Sequence, residues 1–199
     1  VIQEADLRSL AQGTTTDKVF ELTKKLSGRV DTPLVYMTYL NVLFKYGYDK
    51  FLQNAKDAGI SGVIVPDLPY EEKDELQSVA EKYDIDVISL IAPTSEDRIK
   101  MIASDAKGFI YTVSSMGVTG MRNEIKTDLQ SIVSHIKSVT DVPVAIGFGI
   151  NKPQQAKEFS AYADGVIVGS AIVNIVAEHG KDAPEYVFDY VKSMKDAIR

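Results

Sequence analysis

Apolar runs of strand length alternate with segments of helical periodicity along the chain. The runs lie at residues 33–39, 62–65, 86–91, 108–113, 142–150 and 164–173, and the last two contain glycine turns. Runs that are apolar throughout are typical of parallel strands that are buried on both faces. The pattern therefore predicts an α/β fold with a parallel sheet, and residues 1–199 are expected to form a single domain.

Helix-terminating residues mark the segments between these runs. Helices are predicted at residues 16–26, 48–58, 71–83, 95–104, 128–139, 153–162, from 170 onwards and at 184–198. Ser95 and Asp128 stand where N-caps are expected, and Gly59 follows the helix at 48–58. The result is a βα series without long linkers.

The turns after the last two runs have the features of a phosphate-binding site. Gly149 and Gly169 would let the backbone approach a ligand without a Cβ clash. A helix that begins at Ser170 would direct free N–H groups and a partial positive charge at an anion. The alternative is that these glycines only permit tight turns. Their occurrence on successive strands favours phosphate, because (β/α)₈ barrels hold phosphate on their last two strands.

Strand count leaves two architectures open. If the glycine turns follow strands seven and eight of a TIM (β/α)₈ barrel, this chain holds strands 3–8 and is incomplete at its N-terminus. At ~30 residues per βα unit, on the order of 50 to 60 residues would precede Val1. The alternative is an open six-stranded sheet with phosphate at a switch point. Such sheets usually carry the glycine-rich turn after the first strand, where this chain has none.

The composition argues against several classes of function. The net charge of −6 argues against nucleic acid as the main partner, and the absence of cysteine excludes disulfides and thiolate metal sites. His135 and His179 are well separated, so no metal site is expected. No apolar run reaches the ~20 residues that span a membrane, and residues 1–6 do not form a signal-like leader, so a cytoplasmic protein is expected.

Several turns together resemble one family, the alpha subunits of tryptophan synthase, over the whole chain. The segments that carry the resemblance are Val1–Gln3, Tyr39–Asn41, Pro66–Pro69, Ala92–Thr94, Tyr111–Gly120, Gly147–Ile150 and Gly169–Val173. The resemblance implies a TIM barrel that cleaves indole-3-glycerol phosphate to indole and glyceraldehyde 3-phosphate by general acid–base catalysis, without metal or organic cofactor.

The resemblance also implies roles for individual residues. The family's catalytic Glu and Asp would lie upstream of Val1, so no catalytic residue is expected in this chain and residues 1–199 alone should be inactive. Phosphate would be bound by Gly120, Gly149, Gly169 and Ser170. The substrate pocket would contain Tyr39, Ile64, Asp67, Tyr111, Thr119 and Phe148.

The family's partner is a pyridoxal-phosphate beta subunit, in an alpha2-beta2 heterotetramer. The resemblance places Asn41, Phe44, Leu68 and Pro69 at that interface, on loops at the rim of the barrel. The cofactor belongs to the beta subunit, so none is expected on this chain.

Two other classes of function remain open from the residues. Another barrel enzyme acting on phosphorylated sugars is one, although no strand end carries the Lys of a Schiff-base aldolase. A non-catalytic phosphate-binding or interaction domain is the other. Asp67 has an equally plain structural interpretation, as a turn or cap residue before Pro69.

Overall fold

Parallel strands form the centre of the molecule. The computed structural model describes residues 1–113, 128–147 and 149–199. The strands are β1 Leu34–Met37, β2 Ile60–Ile64, β3 Asp86–Val87, β4 Ser89–Ile91, β5 Ile110–Val113, β6 Val144–Gly147 and β7 Gly165–Val166. They pair in the orders β1-β2-β3 and β4-β5-β6-β7, and every pairing is parallel. The predicted parallel α/β fold is confirmed.

Helices connect the strands in sequence. They are α1 Ile2–Ala11, α2 Thr16–Ser27, α3 Leu40–Tyr46, α4 Tyr48–Asp57, α5 Lys73–Ala80, α6 Glu96–Ser104, α7 Leu129–Lys137, α8 Pro153–Ser160, α9 Ser170–His179 and α10 Ala183–Ala197. Short 3₁₀ turns at Tyr70–Glu72 and Glu81–Tyr83 flank α5. In the part of the chain that the structure describes, no helix is long and apolar enough to cross a membrane.

The predicted caps form as expected. The Ser95 hydroxyl accepts a hydrogen bond from the Arg98 N–H, and the Asp128 carboxylate accepts one from the Ser131 N–H. Each satisfies a backbone donor that the first turn of a helix leaves without an intrahelical partner. Helix α3, by contrast, was not predicted from the sequence, and its N-cap residue Tyr39 makes no side-chain capping bond.

The predicted strand at 86–91 is wrong in one respect, because it is divided at Ile88. Residues before the break pair with β2, whereas Ser89–Ile91 pair with β5. The Ile88 N–H still donates to the Val63 carbonyl at 2.9 Å, so the chain follows β2 as far as Ile88 before it pairs with β5. We call this break between β3 and β4 the seam.

The two faces of the sheet pack differently. The outer face, which includes Val63, Ile110 and Ile146, is covered by helices in two large clusters of buried residues, one on each side of the seam. The inner face holds a smaller cluster built on Ile64, Ile88 and Tyr111. On β1 the inner-face residue Met37 is 54% exposed.

Candidate functional site

Loops from successive strands gather at the carboxyl end of the sheet. Because all described pairings are parallel, the turns after β1, β2, β4, β6 and β7 lie at the same edge. In barrels of parallel strands this edge carries the active site. The candidate site is therefore the carboxyl end of the inner face, together with the loops around it.

The two glycine turns are neighbours at this edge. Ile146 pairs with Val166, and Gly149 and Gly169 each follow three residues later. Gly149 has φ +77°, a conformation that side-chain-bearing residues rarely adopt, so a turn of this shape needs glycine. Among the residues that the structure describes, a Cβ at either position would meet nothing within 4 Å. Both backbones are thus open to a ligand.

Helix α9 begins at Ser170, as predicted. Gly169 is its N-cap and supplies no side-chain capping bond. An uncapped helix start directs N–H groups and the positive end of the helix dipole outwards. The geometry of Gly149, Gly169 and Ser170 suits an anion, and phosphate binding by these residues stays a prediction.

Ile64 and Tyr111 meet in the inner-face cluster. Both are 5% exposed, and Ile88 lies with them. The Tyr111 ring lies directly over Gly147, where an added Cβ would overlap the phenol oxygen. Burial raises the pKa of Tyr111, so its phenol stays protonated at neutral pH. The pair offers an apolar wall with one hydroxyl at the centre of the site.

Asp67 and Tyr39 lie at the rim, where both are exposed. The Asp67 carboxylate accepts a hydrogen bond from the Leu40 N–H at 2.9 Å. Asp67 therefore caps helix α3 from the neighbouring loop, which explains how α3 begins without a cap of its own. The contact also ties the loop after β2 to the loop after β1.

The contact between Asp67 and Leu40 also joins the two elements that carry the four residues assigned to a partner interface. Asn41 and Phe44 lie on α3, not on a loop as predicted, and Phe44 is 72% exposed. Leu68 and Pro69 follow Asp67 directly, with Leu68 half-buried against the outer-face cluster on the β1–β3 side. The Phe44 ring contacts Tyr48 and is otherwise exposed on α3. The role of these four residues in binding a partner stays a prediction.

Three assigned residues, Gly120, Thr119 and Phe148, lie outside the described residues. Among the residues that are described, no three His, Asp or Glu side chains are placed to hold a metal ion.

Sequence reasoning missed two features of the site. The role of Gly147 is to make room for Tyr111, and the tight spacing of glycines in Gly147–Gly149 was the only available signal. The second is the pairing of Arg98 with Glu71, two residues 27 positions apart in the sequence, for which no local pattern exists.

Parallel strands in sequential order, helices over their outer face and glycine turns at their carboxyl ends define a protein of the TIM-barrel class. The sequence profile of one family of this class, described as tryptophan synthase alpha chain, matches residues 1–199. The chain belongs to that family.

Individual relatives agree with this assignment. The tryptophan synthase alpha chain of Lacticaseibacillus casei is 49% identical over 198 residues, which cover 100% of this chain and 74% of the relative. The alpha subunit structure from Campylobacter jejuni superposes with a TM-score of 0.83 at 38% identity, covering 98% of this chain and 77% of that one. A structure of the tryptophan synthase a2b2 complex from Pyrococcus furiosus superposes with a TM-score of 0.87 at 34% identity. The match covers 98% of this chain and 79% of that one.

Proposed function

We propose that the protein is the alpha subunit of tryptophan synthase, a lyase that cleaves indole-3-glycerol phosphate to indole and glyceraldehyde 3-phosphate in tryptophan biosynthesis. Membership of the family supports this activity over the two alternatives, a different sugar-phosphate enzyme and a non-catalytic binding domain. A cytoplasmic location is part of the proposal, since the activity is biosynthetic.

The contribution of residues 1–199 is to bind and orient the substrate. The helix α9 start and the turns at Gly149 and Gly169 would hold the phosphate through backbone N–H groups, with the Ser170 hydroxyl as a further donor. Tyr111 and Ile64 would form a wall against the indole ring. The open backbone at two adjacent glycine turns is the observation that carries this proposal.

No catalytic acid is assigned within residues 1–199. The reaction needs a proton delivered to the indole ring and a base for the side-chain hydroxyl, which is the work of a pair of carboxylates. The protein needs no metal or organic cofactor for it. The proposed partner is a beta subunit in an alpha2-beta2 complex, and pyridoxal phosphate would reside on that partner.

The test is indole release from indole-3-glycerol phosphate by the full-length protein, with and without the beta subunit. Ser170→Ala should raise KM about tenfold with little change in kcat, since a lost hydrogen bond to a charged phosphate costs at least ~1.4 kcal/mol of binding in ground and transition state alike. Ser193→Ala is the matched control, because the Ser193 hydroxyl donates to the Tyr190 carbonyl within α10. No indole release by the wild type would refute the proposed activity; equal KM values in both variants would refute the phosphate site.

A further inference from the structure

The segment from Asp67 to Lys73 bridges the seam in the sheet. Leu68 packs against the outer-face cluster on the β1–β3 side, whereas Tyr70 packs against the cluster on the β4–β7 side. Beneath the segment lies a small cavity of about 50 Å³, lined by Leu68, Tyr70, Lys73 and Ile88 among others. The segment therefore contacts the buried clusters on both sides of the seam.

Polar contacts hold the segment to α6 on the far side of the seam. Arg98, in the first turn of α6, donates from both terminal nitrogens to both carboxylate oxygens of Glu71, at 2.6 and 3.1 Å. Lys73 pairs with Asp105 at the other end of α6, and its ammonium lies 4.4 Å from the centre of the Tyr70 ring. The segment is therefore attached at both ends of one helix.

The Arg98 contact has the geometry that gives an exposed ion pair an effect. Most single surface pairs contribute little, because flexible side chains lose entropy when they meet. A planar guanidinium that donates two parallel bonds to one carboxylate fixes position and direction together. The same hydrogen bonds lower the pKa of the Glu71 carboxyl. They therefore favour the ionised form, which accepts both bonds, at neutral pH.

We infer that Arg98 is a positioning residue: through Glu71 it fixes the loop after β2, and so keeps Asp67 on the N–H of Leu40 at the start of α3. It links the start of α6 to the loop after β2 and, through Asp67, to the start of α3. The loop after β2 and α3 hold the four residues assigned to the beta-subunit interface. This role rests on the proposed function, and it predicts that Arg98 affects activation by the beta subunit more than intrinsic cleavage.

Lys107 provides a matched control. Its ammonium pairs with Glu81 at 2.8 Å, joining the segment after α6 to the 3₁₀ turn after α5. This pair links the same two helical units as Arg98 and Glu71, but at the amino-terminal edge of the sheet. Lys107→Ala thus removes one exposed cation and one inter-helix contact far from the rim.

The first measurement is amide hydrogen exchange at Leu40 in the full-length protein. Arg98→Ala should speed exchange of this amide about fivefold, and Lys107→Ala should leave it unchanged. Arg98→Lys keeps the charge but cannot form the two parallel hydrogen bonds, and should behave like Arg98→Ala. The charge-swapped double variant Arg98→Glu/Glu71→Arg should restore protection of the Leu40 amide. Unchanged Leu40 exchange in Arg98→Ala, or an equal change in Lys107→Ala, would overturn the inference whatever the activity of the protein.

The second measurement is stimulation of indole release by the beta subunit. Arg98→Ala should lower stimulation about fivefold, at the low end of coupling between protein sites, with a smaller change in the basal rate. Equal loss of basal and stimulated rates would show a merely structural role and contradict the inference. If the wild type releases no indole but Leu40 exchange responds as expected, the proposed function fails and the positional link stands.

Discussion

On β5, Ile110 faces the helices with no exposed surface, while the next residue, Tyr111, faces the inner side against a glycine. The same alternation runs through β6, where Ile146 is outward and Gly147 inward. Outward positions such as Val63, Ile110 and Ile146 carry branched aliphatic side chains that pack in the helix-covered clusters. Inward positions combine an aromatic ring, glycines and half-exposed apolar groups. The outer face carries most of the buried core, and the inner face holds the smaller cluster.

The largest expected difference between the faces is in the free energy of unfolding that is lost when a side chain is truncated to alanine. Ile146→Ala removes a side chain with 0% exposure from the outer-face core, and should lower the free energy of unfolding by about 2–5 kcal/mol. Met37→Ala, at 54% exposure on the inner face of β1, should cost below about 1 kcal/mol. Urea unfolding of both variants measures the difference, and similar costs would break the comparison.

The second prediction concerns space on the inner face. In Gly147→Ala the new Cβ would overlap the Tyr111 side chain, since the phenol oxygen and two ring carbons lie within 2.6 Å of its position. The expected loss is about 1–3 kcal/mol, typical of overpacking. Adding Tyr111→Leu should recover part of it, because the smaller side chain vacates the space. A double-mutant cycle by chemical denaturation measures this coupling; additive effects would show that the two residues do not share the space.

A smaller effect is expected at the rim, where Asp67 caps α3. Asp67→Ala removes the acceptor for the Leu40 N–H and should cost about 1 kcal/mol, as for other helix caps. Asp67→Asn keeps an oxygen in place and should cost less. Thermal unfolding compares the two; equal losses would show that the carboxylate charge, not its acceptor oxygen, is what matters.

The smallest effect concerns the amino-terminal edge, opposite the site. Burial opposes ionisation of Asp164, but hydrogen bonds from Lys137 and from the Val144 N–H outweigh it and hold the pKa of this carboxyl below its usual 3.8. The ionised form is thus favoured in the folded state. Its stabilisation is complete above the unfolded pKa and is lost as the pH falls through the lower folded pKa.

Asp164→Asn should therefore lower stability at pH 7, and the difference from wild type should shrink as the pH falls below about 4. Thermal unfolding across pH 2–7 measures this. A difference that persists unchanged at pH 2 would assign the effect to packing and not to charge.

Much of this arrangement could be predicted from the sequence, because it depends on local pattern. Periodicity and residue type within a few positions predict the caps at Ser95 and Asp128, the start of α9 at Ser170 and the strands other than the divided segment at 86–91. The site residues Ile64 and Tyr111 could be assigned to one pocket only through the family resemblance.

What escaped prediction depends on contacts between distant residues. Helix α3 begins with a cap from Asp67, 27 positions from the N–H it satisfies, so its own sequence shows no N-cap signal. The division at Ile88 arises because β3 and β4 follow different neighbours, which no single strand encodes. The start of α3 and the division at Ile88 therefore both depend on tertiary contacts and not on local sequence.

The central claim, that the inner face at its carboxyl end binds the phosphorylated substrate, is tested most directly by titrating glycerol 3-phosphate into isotope-labelled full-length protein. Amide resonances of Gly149, Gly169 and Ser170 should shift together and saturate, while those of the outer-face strand residues Ile110 and Ile146 stay unchanged. A different cavity of about 390 Å³ lies between α2 and α4, lined by Asp17, Lys24 and Asn54 among others. Saturable shifts there, with none at the glycine turns, would contradict the account.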